Sequence, residues 1–289
     1  MKRTFLLCAC ALSFLLAACS SSSSTPPAST AESACDAYTT ARASYGERCR
    51  TTSRGADDGA KGRLAKVCQS TLSLPGLGIA VADVQSCAAA LKTAGCDQSE
   101  STLDACKPLR QPKGTLAEGT ACASSAQCAS GKCKGGDIDN DGVRCGTCVA
   151  TAAVGAPCTL SSSNCAPRTY CVHGAGDAED RGTCKGRAKE GEACSFTDGS
   201  ICDDGLYCPE SGKCTKKLGA NAACDGFGAC AGALECSGGT CQVRLALGAA
   251  CTESDSCDIR GECIDGKCSE RVYAKVGEDC TKTTCGRST

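Results

Sequence analysis

Four cysteines in a fixed frame recur from the middle of this chain to its end, and such a frame leaves the backbone between its members little freedom. The clearest copy is Gly191–Cys214, GEACSFTDGSICDDGLYCPESGKC. A unit opens with Gly-x-x-Cys, runs through two middle cysteines six positions apart, and closes with Gly-Lys-Cys or Gly-Thr-Cys. The four complete copies are Cys158, Cys165, Cys171, Cys184; Cys194, Cys202, Cys208, Cys214; Cys224, Cys230, Cys236, Cys241; and Cys251, Cys257, Cys263, Cys268. Openings also fall at Cys122 and Cys280, giving a period in the range of repeat arrays. If the six-residue gap is extended, its cysteines stand ~20 Å apart at ~3.3 Å per residue. They would then bond outward, first with third and second with fourth; a folded gap leaves the other pairings open. The glycines suit tight turns between staples. Each unit is expected to be a loop-rich knot with at most a short hairpin, touching mainly its neighbours in an elongated array.

Three copies depart from the frame. The fourth opening has Gly219 five residues before Cys224. The first unit holds five cysteines, Cys122, Cys128, Cys133, Cys145 and Cys148, and the last stops after Cys280 and Cys285.

Composition says why the cysteines must carry the fold. They number 32 in 289 residues, above the ~8–10% that marks a disulfide scaffold. There is no Trp, and there are only four Phe and five Tyr. Small units so poor in large apolar side chains cannot offset chain entropy by burial alone. Cross-links contribute the difference at roughly 2–4 kcal/mol each, and they form in an oxidising compartment. Without Lys2 and Arg3 the chain carries 29 basic against 32 acidic residues. No basic block appears, which argues against a nucleic-acid partner.

Residues 1–18 have a secretory layout: Lys2-Arg3, an apolar run from Phe5 to Ala18, then small residues. The run is shorter than the ~20 residues of a membrane span. Its end, Leu16-Ala17-Ala18-Cys19, resembles the bacterial lipoprotein signal. The resemblance implies cleavage before Cys19 and lipid attachment there, palmitate included; several acyl chains give stable anchoring. Ser20 follows, where an Asp would resemble an inner-membrane retention signal, so delivery to the outer membrane or cell surface is expected. Residues 19–34 hold the lipidated Cys19 and a Ser/Thr/Pro tether. Taking Cys8, Cys10 and Cys19 from the 32 cysteines leaves 29, an odd number, so one is expected to be free, bonded between chains, or to lack a partner lying beyond Thr289.

Residues 35–107 form a helical domain with six widely spaced cysteines: Cys35, Cys49, Cys68, Cys87, Cys96 and Cys106. Cys35, Tyr38, Arg42, Tyr45 and Cys49 fall at helical intervals over 32–50. Glycines in 55–62 interrupt the pattern. Further helices are expected over 63–72 and over 79–93, where Val81, Val84, Cys87, Ala88 and Leu91 form a stripe, with a short turn over 101–107. Cys35 and Cys49 would lie ~21 Å apart along one helix, beyond the ~7 Å limit for a disulfide. Each should staple the first helix to a neighbour. The domain is a compact spacer or holds a ligand pocket between helices.

The remaining bounds are a linker over 108–118, repeats over 119–148, 155–184, 191–214, 219–241 and 248–268, and a partial repeat over 277–289. The third, Cys194…Cys202-Asp203-Asp204-Gly205-Leu206-Tyr207-Cys208…Gly212-Lys213-Cys214, resembles the Dickkopf N-terminal cysteine-rich domain with its Cys-x-x-Gly-x-x-Cys core. Units of this type also resemble those of cysteine-rich lipoproteins from myxobacteria. The resemblance implies a style of fold, and the animal signalling role does not travel with it. Residues 231–235 and 258–262 depart from it at the aromatic.

Few constellations carry chemistry. Asp137-Ile138-Asp139-Asn140-Asp141-Gly142 places oxygen ligands at alternate positions before a turn glycine, and resembles the start of a calcium loop. Its twelfth position is Cys148 in place of Glu, and a solvated acidic turn explains the residues as well. Cys145-Gly146-Thr147-Cys148 has the spacing of zinc and redox sites, but in so dense a cysteine chain it reads as a structural disulfide. His173 is the only histidine, in a glycine-rich insert with Asp177, Glu179 and Asp180. No catalytic set assembles around it, so no enzyme activity and no cofactor beyond that calcium candidate are expected. The sequence therefore reads as a small disulfide-rich protein with a helical disulfide-bonded domain and an array of short-hairpin repeats. Its expected role is binding, adhesion or structural display at the membrane through a lipid anchor, toward an extracellular protein or polysaccharide; the alternative is inhibition of an extracellular protease.

Overall fold

In the computed structural model the described residues are 28–51, 58–138, 142–159, 164–172, 181–195, 201–225, 228–252 and 257–271. Cys19, Asp139, Asp141, His173, Asp177, Glu179, Asp180, Cys280 and Cys285 lie outside them. No described helix is long and apolar enough to cross a membrane.

The helical domain comprises α1 (Ala28–Arg48), α2 (Asp58–Leu72) and α3 (Val81–Thr93), then a 3-10 turn Asp104–Cys106 running into the one-turn α4 (Lys107–Arg110). The α1 stripe is narrower than the spacing suggests. Cys35, Ala41, Tyr45 and Cys49 are buried, while Arg42 stays in water. The second helix starts earlier than expected, running through Gly59 and Gly62 from Asp58. Nothing lies within 4 Å of a Cβ built on Gly62, so its cost is conformational, about 1 kcal/mol, and the Cys35–Cys68 bond that ties α2 to α1 offsets it. On α3, Val84, Cys87, Ala88 and Leu91 face the core as the stripe requires.

Cys49 bonds Cys96 just past α3, and Cys87 bonds Cys106. Cys35 and Cys49 thus each staple the first helix to a neighbour, as the helical rise demands. The Arg48 guanidinium donates to the carbonyls of Leu91 (3.2 Å) and Ala94 (2.8 Å), satisfying the open end of α3. The Tyr38 hydroxyl donates to Glu100 at 2.6 Å; burial first, and then that carboxylate, raise its pKa.

Each repeat is held by two crossed disulfides, first to third and second to fourth. The bonds are Cys158–Cys171 with Cys165–Cys184, Cys194–Cys208 with Cys202–Cys214, Cys224–Cys236 with Cys230–Cys241, and Cys251–Cys263 with Cys257–Cys268. The first unit obeys the same rule with a shorter middle gap, Cys122–Cys133 and Cys128–Cys148. The reading of Cys145 and Cys148 as one bridge is therefore corrected. The short strand Gly146–Cys148 carries Cys148 toward Cys128, and Cys145 is disulfide-bonded to a partner outside the described residues.

A repeated backbone grid underlies these bonds. The opening residue donates its N–H to the carbonyl of the fourth cysteine: Gly119 to Cys148, Gly155 to Cys184, Gly191 to Cys214, Gly248 to Cys268, all at 2.7–2.9 Å. Each opening glycine sits at φ between +81° and +88°, where a Cβ is disfavoured. In the fourth unit the opening residue is Asn221 (φ +63°), which bonds Cys241 at 2.8 Å. Asn is the side chain that tolerates this region best, so the unit keeps its frame as Asn-x-x-Cys and Gly219 is not its opening. The grid also reaches upstream. Leu116, Ala152, Ala188, Leu218 and Leu245 pair in parallel with the second cysteine of their unit. Each packs on its cysteine cluster, which otherwise is sulfur in the first, second and fifth units and adds Leu206 in the third and Leu234 and Val243 in the fourth.

Third and fourth cysteines stand opposite one another on a short antiparallel hairpin: Cys133 and Cys148, Cys171 and Cys184, Cys236 and Cys241, Cys263 and Cys268. Contacts are not confined to neighbouring repeats. The buried Gln127 of the first unit donates to the Pro75 carbonyl (2.8 Å). Ala233 of the fourth donates its N–H to the Cys96 carbonyl (2.7 Å), and a Cβ on Gly232 would meet that oxygen at 2.4 Å. The array therefore folds back on the helical domain, and glycine at 232 permits the approach.

A candidate binding cleft between the last two complete repeats

Where the fourth and fifth units meet, their hairpins leave a cleft of about 780 Å³. Gly228, Gly232, Gly238 and Gly239, all at positive φ, turn the chain along its wall, and Gly261 lines it from the start of a strand. Leu234 and Ile259 supply apolar surface, and Lys217, Asp225, Glu235, Arg244, Asp258 and Arg271 supply charge.

The carboxylates at its centre are tied down. Glu235, on the strand Glu235–Ser237, is ion-paired with Arg244. The Arg244 carbonyl accepts from Arg50 at the end of the first helix, so the helical domain braces this wall. Asp258 is buried, with an exposure of 3%. It accepts from the Arg260 backbone N–H (2.9 Å), Nε (3.0 Å) and NH2 (2.9 Å). Burial would push the Asp258 carboxyl up, but the Arg260 hydrogen bonds, with the charges of Arg260 and Arg50, outweigh it and hold the carboxyl below its ordinary range. The same partner raises the Arg260 pKa. Asp258 therefore stays charged, and both acids are held in fixed orientation by their arginine partners, suited to recognition rather than proton transfer. Arg271 donates to the Gly261 carbonyl at 3.3 Å and closes one end. Nothing in the residue spacing announces this cleft; its members come together only through the turn between two repeats and the docking on α1.

A second charged cluster lies at the seam of the helical domain with the second and third units. The Asp204 carboxylate accepts from Arg110 (3.1 Å), Arg168 (2.9 Å) and Arg187 (3.0 Å), and Asp203 is ion-paired with Arg168. Burial works against the Arg168 charge, and the Asp204 and Asp203 carboxylates overcome it, so its pKa is raised. Arg168 (φ +65°) occupies the turn position that Gly205 (φ +78°) holds one unit later. A bulky residue is held in a left-handed conformation because its guanidinium is anchored by two acids. The Asp203-Asp204-Gly205 segment that carried the family resemblance thus clamps one unit to two others.

The other sequence candidates fare unevenly. Asp137 begins a two-residue strand paired with Val143–Arg144, and its Oδ1 accepts from the Ile138 N–H at 2.9 Å. Its companions Asp139 and Asp141 are outside the described residues, as are Cys19 and His173. Between α1 and α2 there is a recess of about 410 Å³ over Thr39, Tyr45, Leu64 and Leu91, with Arg42 and Glu100 paired at its rim (3.5 Å). Three or more cysteine sulfurs meet within 4.8 Å in every repeat, but they are the crossed disulfides and not thiolate ligands. No family model, curated protein or solved structure matches this chain.

Proposed function

We propose that this chain is a lipid-anchored binding protein displayed at the outer membrane or cell surface, with the cleft between the fourth and fifth units as its recognition site. The observation that supports the reading is the cleft itself: rigid on both walls through four disulfides, braced by Arg50, and lined with fixed charges of both signs. Thirteen disulfides among the described residues require an oxidising compartment. In this reading Cys19 carries the anchor and the cleft of the fourth and fifth units is the part that meets the partner. The partner class is an extracellular protein or polysaccharide that complements mixed charge.

Two experiments test it. Metabolic labelling with palmitate should mark the wild type and not Cys19→Ala, which should leave the membrane fraction for the medium; equal labelling of both removes the anchor. The purified exported part should bind panels of surface polysaccharides and secreted proteins, and Lys217→Glu should weaken that binding at unchanged melting temperature. Binding indifferent to the cleft charges would remove the site. Protease inhibition calls for a Lys, Arg or Leu at a rigid loop tip; the hairpin tips at 237–240 and 264–267 turn on Gly238-Gly239 and Asp265-Gly266. Assays against trypsin-, chymotrypsin- and elastase-like enzymes separate that reading from binding.

A further inference from the structure

The two disulfides of a repeat are not equally shielded, and the inequality has the same sense in all five units. The bond from second to fourth cysteine is buried at both ends throughout: Cys128 and Cys148, Cys165 and Cys184, Cys202 and Cys214, Cys230 and Cys241, Cys257 and Cys268. The other bond ends at a half-exposed third cysteine every time: Cys133, Cys171, Cys208, Cys236 and Cys263. Its first cysteine is buried in four units, Cys224 of the fourth being the exception. In every unit the Sγ atoms of the first and second cysteines also lie within 4.8 Å of each other, although they are not bonded.

We propose that the third cysteine of each repeat is a site of S-thiolation by low-molecular-weight thiols, and that the first cysteine then carries the reaction to the buried bond. Exchange rates depend on which sulfur an external thiolate can reach. Attack on the third Sγ forms a mixed disulfide there and breaks its bond to the first cysteine, which leaves with the electron pair as a thiolate. That thiolate faces the second Sγ. Its attack forms a bond between first and second cysteines, breaks the bond between second and fourth, and releases the fourth as a thiolate that takes a proton from water. One external thiol is consumed, no net oxidant is needed, and a unit that is opened once is rewired throughout. Buried second and fourth cysteines are thus reached from inside the unit and never directly.

The test uses the native protein. It is exposed briefly to reduced glutathione at mildly alkaline pH, quenched in acid, alkylated with iodoacetamide and mapped by mass spectrometry. Glutathione should appear on the five third cysteines, and on Cys224, in about tenfold or greater excess over second and fourth cysteines. Carbamidomethyl groups should pass with time from first to fourth cysteines. Adducts spread evenly over the four positions would overturn the site, and alkylation confined to first cysteines at all times would overturn the internal transfer. In Cys194→Ser with Cys208→Ser the third unit lacks its accessible bond, so Cys202 and Cys214 should stay unmodified. Their thiolation at the rate of the wild-type unit would refute the shielding. The mapping of native protein decides the proposal even if this variant does not fold.

Discussion

The helical domain and the repeat array use the same bond for different ends. In the helical domain two of the three disulfides close long loops, with separations of 33 and 47 residues against 19 for the third, and they join helices that pack on one another through Tyr45, Ala88 and Leu91. In the repeats the separations are 11–20 residues, and the sulfurs themselves are the core. Chain entropy makes a 47-residue closure worth about 4 kcal/mol and a 12-residue closure about 3 kcal/mol. The weaker cross-links nevertheless carry more of their structure, because beside the sulfurs a repeat buries little: one upstream Leu or Ala, joined by Leu206 in the third unit and by Leu234 and Val243 in the fourth.

That contrast can be broken first by removing one bond from each region. Cys49→Ala with Cys96→Ala should cost about 4 kcal/mol and lower the melting temperature while α1, α2 and α3 stay protected from hydrogen exchange below it. Cys257→Ala with Cys268→Ala should cost about 3 kcal/mol, yet erase protection throughout the hairpin Gly261–Ile264 with Lys267–Glu270. A protected fifth unit in that variant would mean that sulfur is not its core. The next effect concerns apolar burial. Leu91→Ala, fully buried, should cost about 3 kcal/mol in a denaturant titration. Leu245→Ala, half-buried beside Cys251 and Cys257, should cost about 1 kcal/mol. Equal losses would erase the distinction between the two regions.

Smaller effects sharpen the account of the grid. Gly191→Ala forces a Cβ into φ +81° and should cost about 1–2 kcal/mol in thermal unfolding. Asn221→Gly should be within about 0.5 kcal/mol of wild type, because glycine suits the same conformation. The smallest effect is that of pH. The Asp258 carboxyl is depressed in the folded state, so its contribution is complete above the unfolded carboxylate range and is lost as pH falls through the folded value. The wild type should lose about 1 kcal/mol of unit stability below about pH 4 that Asp258→Asn lacks already at neutral pH. Parallel acid profiles for the two proteins would show that Arg260 does not hold a charged partner there.

Much of the architecture was legible in residue spacing. The helical rise forbade a bond between Cys35 and Cys49. The crossed pairing was expected only for an extended middle gap. That gap instead turns, with Thr169 bonded back to Ala166, Leu206 to Asp203, Leu234 to Ala231 and Gly261 to Asp258, and with the Cys202 and Cys208 sulfurs within 4.8 Å. The pairing is as expected but its premise is corrected. The Asn221 opening could have been read from Asn-x-x-Cys, since Asn shares with glycine a tolerance of positive φ; counting glycines alone concealed it. The fate of Cys145 and Cys148 was not legible, because a two-residue gap suits either a bridge or two separate ones. The cleft and the Asp204 cluster were not legible either. Arg50, Arg110, Arg168 and Arg187 lie far from their partners in sequence and carry no spacing signal.

By itself, then, the chain's order of residues determined which segments turn helical, where the backbone must bend, and which sulfurs along the first helix cannot meet. Those are short-range matters, settled by rise per residue, side-chain sterics and the reach of a disulfide. Tertiary structure alone decided that the repeats double back onto the helical domain and that two of them enclose a charged cleft. Ion pairs and close backbone approaches such as Gly232 against Cys96 depend on positions in space that no local pattern encodes.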